Sequence, residues 1–131
     1  MWMKLLWVGL GGMLGAMSRF GVSEAMNQSL GPRFPWGTFT VNLLGSFVIG
    51  VVFVLAREQI AINAQAKLLI MTGFLGAFTT FSSYALDNYS LIKAQETQLM
   101  FVNVVVQNLL GLLFVGCGIW LTEWLSEAPH A

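Results

Sequence analysis

Apolar residues run along this chain in four long blocks separated by short polar ones. The blocks cover residues 3–26, 36–57, 67–92 and 99–125. A helix needs about 20 mostly apolar residues to cross the hydrocarbon of a bilayer, and each block is that long. The first separator, NQSLGPRFP, carries two prolines and a glycine, which stop a helix. EQIAINAQA, expected to lie amphipathically at the surface, and KAQETQ are the next connections, and SEAPHA is a polar tail. The pattern predicts an all-α membrane protein, a single transmembrane domain over 1–131 with four spans and both termini on one side. The opening MWMKLLWVGLGG has a lysine followed by an apolar run, like a secretory signal, but is read here as a retained spanning helix.

Composition agrees with the pattern. Hydrophobic residues make up 56% of the chain and charged residues 9%, whereas soluble domains carry about 25% charged residues. A water-soluble domain of 131 residues could not hide that apolar surface. Lysine plus arginine equals aspartate plus glutamate, so no basic balance points to nucleic acid. One cysteine, Cys117, and one histidine, His130, supply neither a zinc ligand set nor a nucleophile with its base, so an enzyme is not expected.

Charge placement bears on orientation. Lys4, Arg57 and Lys67 fall on the side of the N-terminus, and Arg19, Arg33 and Lys93 on the other. Orientation normally follows a lysine and arginine bias, and here there is none. The balance has two readings: insertion both ways, with opposite copies pairing as an antiparallel dimer, or a single orientation fixed by other cues. Four helices are few to enclose a solute path, which favours an oligomer.

Polar residues inside the spans carry the candidate chemistry. In the first span Gly11 and Gly15, and Gly12 and Ala16, are four apart and read as a helix-packing face. Arg19, near that span's end, is either an anchor or a residue that gathers anions at a pore mouth; Glu24, five residues on, is poorly spaced to pair with it. In the second span Thr38, Asn42 and Ser46 are each four apart and share a face, as interhelical glue or as hydrogen-bond donors along a solute path. The fourth span adds Asn103 and Gln107, with Asn108 beside them and Gly111 and Gly118 beyond, more amide than glue requires.

The third span has the most polar centre. Its midpoint falls in GAFTTFSS, residues 76–83, with Gly73 and Gly76 weakening the helix before the Thr79–Thr80 pair. This predicts a helix broken near the membrane midplane, with a kinked but continuous helix as the alternative. A break is tolerated at that depth only in protein or beside a cavity, and it exposes carbonyls able to hold an ion. In an antiparallel dimer, two such breaks would meet near the symmetry axis and share one cation. Phe81 and Tyr84, three apart and flanking Ser82 and Ser83, are either a packing pair or ring edges facing an anion.

The stretches GGMLGAMSRFGVSE, WGTFTVNLLGSFVIG and, most specifically, GFLGAFTTFSSYALDN resemble the Fluc/CrcB family of fluoride channels, over nearly the whole chain. The resemblance implies four transmembrane helices per protomer, an antiparallel, dual-topology homodimer in the bacterial inner membrane, and passive, selective export of fluoride that relieves its toxicity. It implies an anion pathway through Thr38, Asn42, Phe81, Ser82, Ser83, Tyr84 and Gln107. It also implies a central structural sodium ion (Na+) held by the backbone carbonyls of Gly76 and Thr79. Arg19 is expected to serve as a vestibule or structural residue. Tyr84 stands where a second phenylalanine is usual, and its hydroxyl offers a donor or an obstruction. Gln107 stands where the family often has serine. The closest rival is a proton-coupled exporter like those of small multidrug resistance, which rests on an acid within the first helix; here that span has none before Glu24, and Asp87 of the third span is the other intramembrane acid. A non-transporting structural subunit would explain the small-residue faces but not the amides together with a broken helix.

Overall fold

Gly31, Pro32 and Pro35 separate the first two helices, and polar connections separate the others. The computed structural model describes residues 1–58 and 62–127. Helix α1 spans Trp2–Leu30 and α2 spans Trp36–Arg57. After the short α3 (Ala64–Lys67) comes a π-helix over Leu68–Leu75, then α4 (Gly76–Phe78), α5 (Phe81–Lys93) and α6 (Thr97–Glu127). Among the described residues, four helical segments are long and apolar enough to cross a membrane: Trp2–Leu30, Trp36–Arg57, Ala64–Lys93 and Thr97–Glu127. Residues 59–61 of the expected amphipathic connection and His130 of the tail lie outside the described residues.

The first span runs past residue 26 because Asn27, Gln28 and Ser29 continue its hydrogen-bond ladder. It stops at Gly31, whose φ of 86° suits glycine and whose N–H returns to the Asn27 carbonyl. Asn27 also starts the next helix. Pro35 at the α2 N-cap has no side-chain acceptor, and the Asn27 Oδ1 accepts the Gly37 N–H at 2.9 Å instead. The last span begins at Thr97 rather than 99, after a left-handed Gln95 at φ 60°.

Glycines set how closely the helices approach. A Cβ on Gly50 would strike the Val115 carbonyl and one on Gly118 the Phe47 carbonyl, so α2 and α6 meet backbone to backbone. The same device joins α1 to the π-helix. Gly11 faces the Leu69 carbonyl, Gly15 the Phe74 carbonyl, and Gly73 the Val8 carbonyl, where a Cβ would come within 2.7 Å. A π-turn is wider than an α-turn and pushes its backbone outward. The α1 glycines leave room for that bulge, so the small-residue face read in the sequence is a packing face. The π-helix itself has no periodicity signal in LLIMTGFL.

The buried apolar set is small: Val41, Leu43, Val52, Val54, Leu75, Phe78 and Leu91. Large apolar side chains such as Leu10, Met13, Phe20, Leu112, Leu113 and Trp120 are exposed along α1 and α6. This outside suits hydrocarbon rather than water.

Candidate functional site

The third span leaves helical geometry after Phe78. Thr79 (φ −82°, ψ 156°) and Thr80 (φ −150°, ψ 121°) are extended, and α5 restarts at Phe81 with the Thr80 hydroxyl accepting the Ser83 N–H at 3.2 Å. Extended backbone among helices needs partners for its polar groups. Asn42 provides them. Its Oδ1 accepts the Thr80 N–H at 2.8 Å, and its Nδ2 donates to the Thr80 carbonyl at 3.0 Å.

These bonds divert donors from a continuous ladder. In an unbroken helix the Thr80 N–H would reach the Gly76 carbonyl and the Ser83 N–H the Thr79 carbonyl. Here the first goes to Asn42 and the second to the Thr80 hydroxyl. Thr79 keeps its own N–H and hydroxyl on the Leu75 carbonyl, at 3.1 and 2.9 Å.

Beside this segment lies a groove of about 450 Å³, built from α2, residues 75–84 and α6. Asn42, Ser46, Thr79, Thr80, Tyr84, Gln107 and Asn108 supply its polar lining. Among the described residues, no charged side chain lines it. Phe81 and Leu112 stand along it at 80% and 74% exposure, so among the described residues little covers that side. The Phe81 and Tyr84 ring centroids are 5.8 Å apart, tilted by 43°. The Tyr84 hydroxyl accepts from Asn108 Nδ2 at 2.9 Å.

The other expected residues, Ser82, Ser83, Thr38 and Arg19, are not among those that line the groove. Ser83 touches Thr80 through its hydroxyl at 3.1 Å; Ser82 is exposed, 3.5 Å from the same hydroxyl. Thr38 does not line the groove. It faces Asp87, and Asp87, without Thr38, lines a second cavity of about 520 Å³ together with Asn27, Arg33, Ser90 and Glu96. Among the described residues, the buried Asp87 Oδ2 has no hydrogen-bond partner. Arg19 is half-buried on α1 away from both cavities, and Glu24 accepts from Gln28 at 3.4 Å instead. The exposed Arg33–Glu96 pair, at 3.4 Å, contributes little stability.

One feature escaped the sequence reading: Asn88 joins the amides of α6. Asn42 Nδ2 donates to Gln107 Oε1 at 2.6 Å, Gln107 Nε2 to Asn103 Oδ1 at 2.9 Å, Asn103 Nδ2 to Asn88 Oδ1 at 2.9 Å, and Asn88 Nδ2 to the Tyr84 carbonyl at 3.0 Å. The Tyr84–Asn88 spacing of four was the only available signal, and it is a weak one.

Comparison with known proteins places this architecture. Relatives of similar length include the fluoride-specific ion channel FluC of Nitrosococcus oceani, 38% identical over 123 residues, covering 94% of this chain and 98% of the relative. That of Salinibacter ruber is 42% identical over 129 residues, covering 98% and 96%. That of Aquifex aeolicus is 39% identical over 118 residues, covering 90% and 95%. With its four spans, the chain is a multi-pass protein of the membrane, in bacteria the inner membrane. The family model described as "CrcB-like protein, Camphor Resistance (CrcB)" matches residues 6–119, and the chain belongs to that family.

Proposed function

We propose that this chain is a passive fluoride channel that lets the ion leave the cytoplasm and so relieves its toxicity. The observation that carries the reading is the groove of neutral donors closed by Asn42 on the Thr80 backbone, in a chain whose full-length relatives bear the name of fluoride-specific channels. Fluoride is small and strongly hydrated, so a dry path must replace its water with close donors. Amides, hydroxyls and ring edges do this without the fixed positive charge that would hold the anion in place. The path runs by Asn42, Phe81, Ser82, Ser83, Tyr84 and Gln107, with Thr38 at the Asp87 end and Arg19 in a vestibule or structural role.

The working unit is an antiparallel, dual-topology homodimer. The exposed Phe81 and Leu112 beside the groove support this, because a second copy would cover that side. The break at Thr79–Thr80 lies at the membrane midplane, and the breaks of two copies face each other there. Gly76 and Thr79 would hold a sodium ion between the copies by their carbonyls. The donor set fits, since both carbonyls have lost the N–H groups that a continuous helix supplies. When bound, the ion pins the two breaks together as a structural cross-link. The chain's own contribution is to keep the Thr80 segment extended and its N–H away from Gly76.

Outward flow needs no coupled proton. Hydrogen fluoride enters cells as a neutral acid and ionises inside, and the membrane potential drives the anion out. The proton-coupled alternative is not favoured, since the first acid in α1 is Glu24, near the helix end and bonded to Gln28. Fluoride release from liposomes containing the purified protein, against a chloride control, tests the proposal.

A further inference from the structure

The amides between Thr80 and Tyr84 all point the same way. Each Asn or Gln in the sequence Asn42, Gln107, Asn103, Asn88 gives an N–H to the carbonyl oxygen of the next. Both ends of the row dictate that sense. The Tyr84 carbonyl can only accept, so Asn88 turns its Nδ2 to it and its Oδ1 toward Asn103. The Thr80 N–H can only donate, so Asn42 turns its Oδ1 to it and its Nδ2 toward Gln107. No member can reverse alone, because a reversed amide would set oxygen against oxygen and nitrogen against nitrogen.

The direction determines which donors remain for an anion. Asn42 has none left, since its Nδ2 hydrogens go to the Thr80 carbonyl and to Gln107 Oε1. The Asn108 Nδ2 hydrogens go to the Tyr84 hydroxyl and the Val104 carbonyl. The Ser46 hydroxyl donates to the Asn42 carbonyl, the Thr79 hydroxyl to the Leu75 carbonyl and the Thr80 hydroxyl to Ser83 Oγ. Gln107 has spent a single N–H, on Asn103, and it lines the groove. The Tyr84 hydroxyl accepts from Asn108 and keeps its own proton. Asn103 is fully buried and Asn88 is buried, and neither lines the groove.

We propose that Gln107, with the Tyr84 hydroxyl, is the direct anion-binding donor set of this groove, and that Asn103 and Asn88 are positioning residues that hold the Gln107 amide with its free N–H toward it. Asn42 then serves as a positioning residue as well, supporting Gln107 on one side and the Thr80 backbone on the other. The inference rests on the fluoride-channel reading and deepens it. It assigns a task to buried amides that stand outside the groove, and it gives the glutamine that replaces the usual serine the central role.

The test uses the full-length protein in detergent micelles with nitrogen-15 in its glutamine and asparagine side chains, titrated with sodium fluoride and, as control, sodium chloride. Signals are assigned by single substitutions. Fluoride is expected to move the Gln107 NH2 resonances and leave those of Asn42 nearly still. In liposomes, Asn103→Leu and Asn88→Leu are each expected to slow fluoride release about tenfold, the effect of misplacing one hydrogen bond to a charged group, and to abolish the Gln107 response. Gln107→Asn, whose shorter side chain draws the amide back, is expected to slow release similarly. Gln107 signals unmoved by fluoride while those of Asn42 shift would overturn the assignment, even in a protein that conducts. Full flux in Asn88→Leu would remove the positioning role. If Asn103→Leu does not fold, the wild-type titration and Asn88→Leu still decide the matter. A wild-type protein that passes no fluoride would instead refute the channel reading itself.

Discussion

Asn42 and Thr80 exchange two hydrogen bonds, N–H to Oδ1 at 2.8 Å and Nδ2 to carbonyl at 3.0 Å. One side chain on α2 thus satisfies both polar backbone groups of a buried residue where the third span leaves the helix. A lone amide in hydrocarbon is costly, and so is a lone extended peptide; each removes the other's cost.

This pairing predicts a large stability effect. Asn42→Leu leaves the Thr80 N–H and carbonyl buried and unpaired and is expected to lose about 2–5 kcal/mol. The exposed Asn108 makes only local and Tyr84 contacts, so Asn108→Leu is expected to cost less than about 1 kcal/mol. Unfolding in mixed micelles, followed by helicity, checks both. Equal losses would contradict the special place given to Asn42.

The glycines divide into those that are filled against and those that are free. Gly11→Ala and Gly15→Ala drive a methyl into carbonyls of the π-helix and its end, for an expected loss of about 1–3 kcal/mol. Gly9 and Gly21 face nothing within 4 Å, so alanine there is expected to be neutral or to add up to about 1 kcal/mol through helix propensity. The same unfolding measurement distinguishes the sets.

Phe81 is 80% exposed in one protomer, so Phe81→Ile removes little of the protomer's packing. Its expected effect is on transport: fluoride release slower by roughly tenfold, with dimer content unchanged by cross-linking, as loss of about 1.4 kcal/mol of anion–ring contact gives. Unchanged release would remove the ring from the path.

Tyr84→Phe deletes a hydroxyl held by Asn108 with its own proton unspent. Release is expected to slow roughly tenfold, the effect of one hydrogen bond of about 1.5 kcal/mol to an anion. Faster release would mean that the hydroxyl obstructs the ion.

The proposed sodium ion has a direct test because its ligands are carbonyls that no substitution removes. Replacing sodium by N-methylglucamine on both sides of the liposome is expected to lower fluoride release and weaken the dimer. Release independent of the cation would leave the Gly76 and Thr79 carbonyls without that role.

Much of this was legible in the sequence, for physical reasons that apply residue by residue. Four apolar blocks mark the spans, the first two cut apart by Gly31, Pro32 and Pro35 and the others by polar connections, because water and hydrocarbon sort side chains over whole helices. The four-residue spacing of Asn103 and Gln107 gave their shared face, and here it gives a hydrogen bond. Thr38 keeps the same spacing from Asn42 but meets Asp87 outside the groove. Spacing fixes direction around a helix and not depth along a cavity. The π-helix was hidden because it depends on what packs against it, chiefly Gly11, Gly15 and Gly73. Asn88 was hidden for a similar reason: its partner Asn103 lies on another helix, 15 residues away.

The most direct measurement is fluoride efflux from liposomes holding the purified protein, read with a fluoride electrode beside a chloride electrode. Rapid loss of fluoride with chloride retained is the predicted result. Retention of both ions by protein shown to be folded and dimeric, or equal loss of both, would contradict a selective fluoride channel.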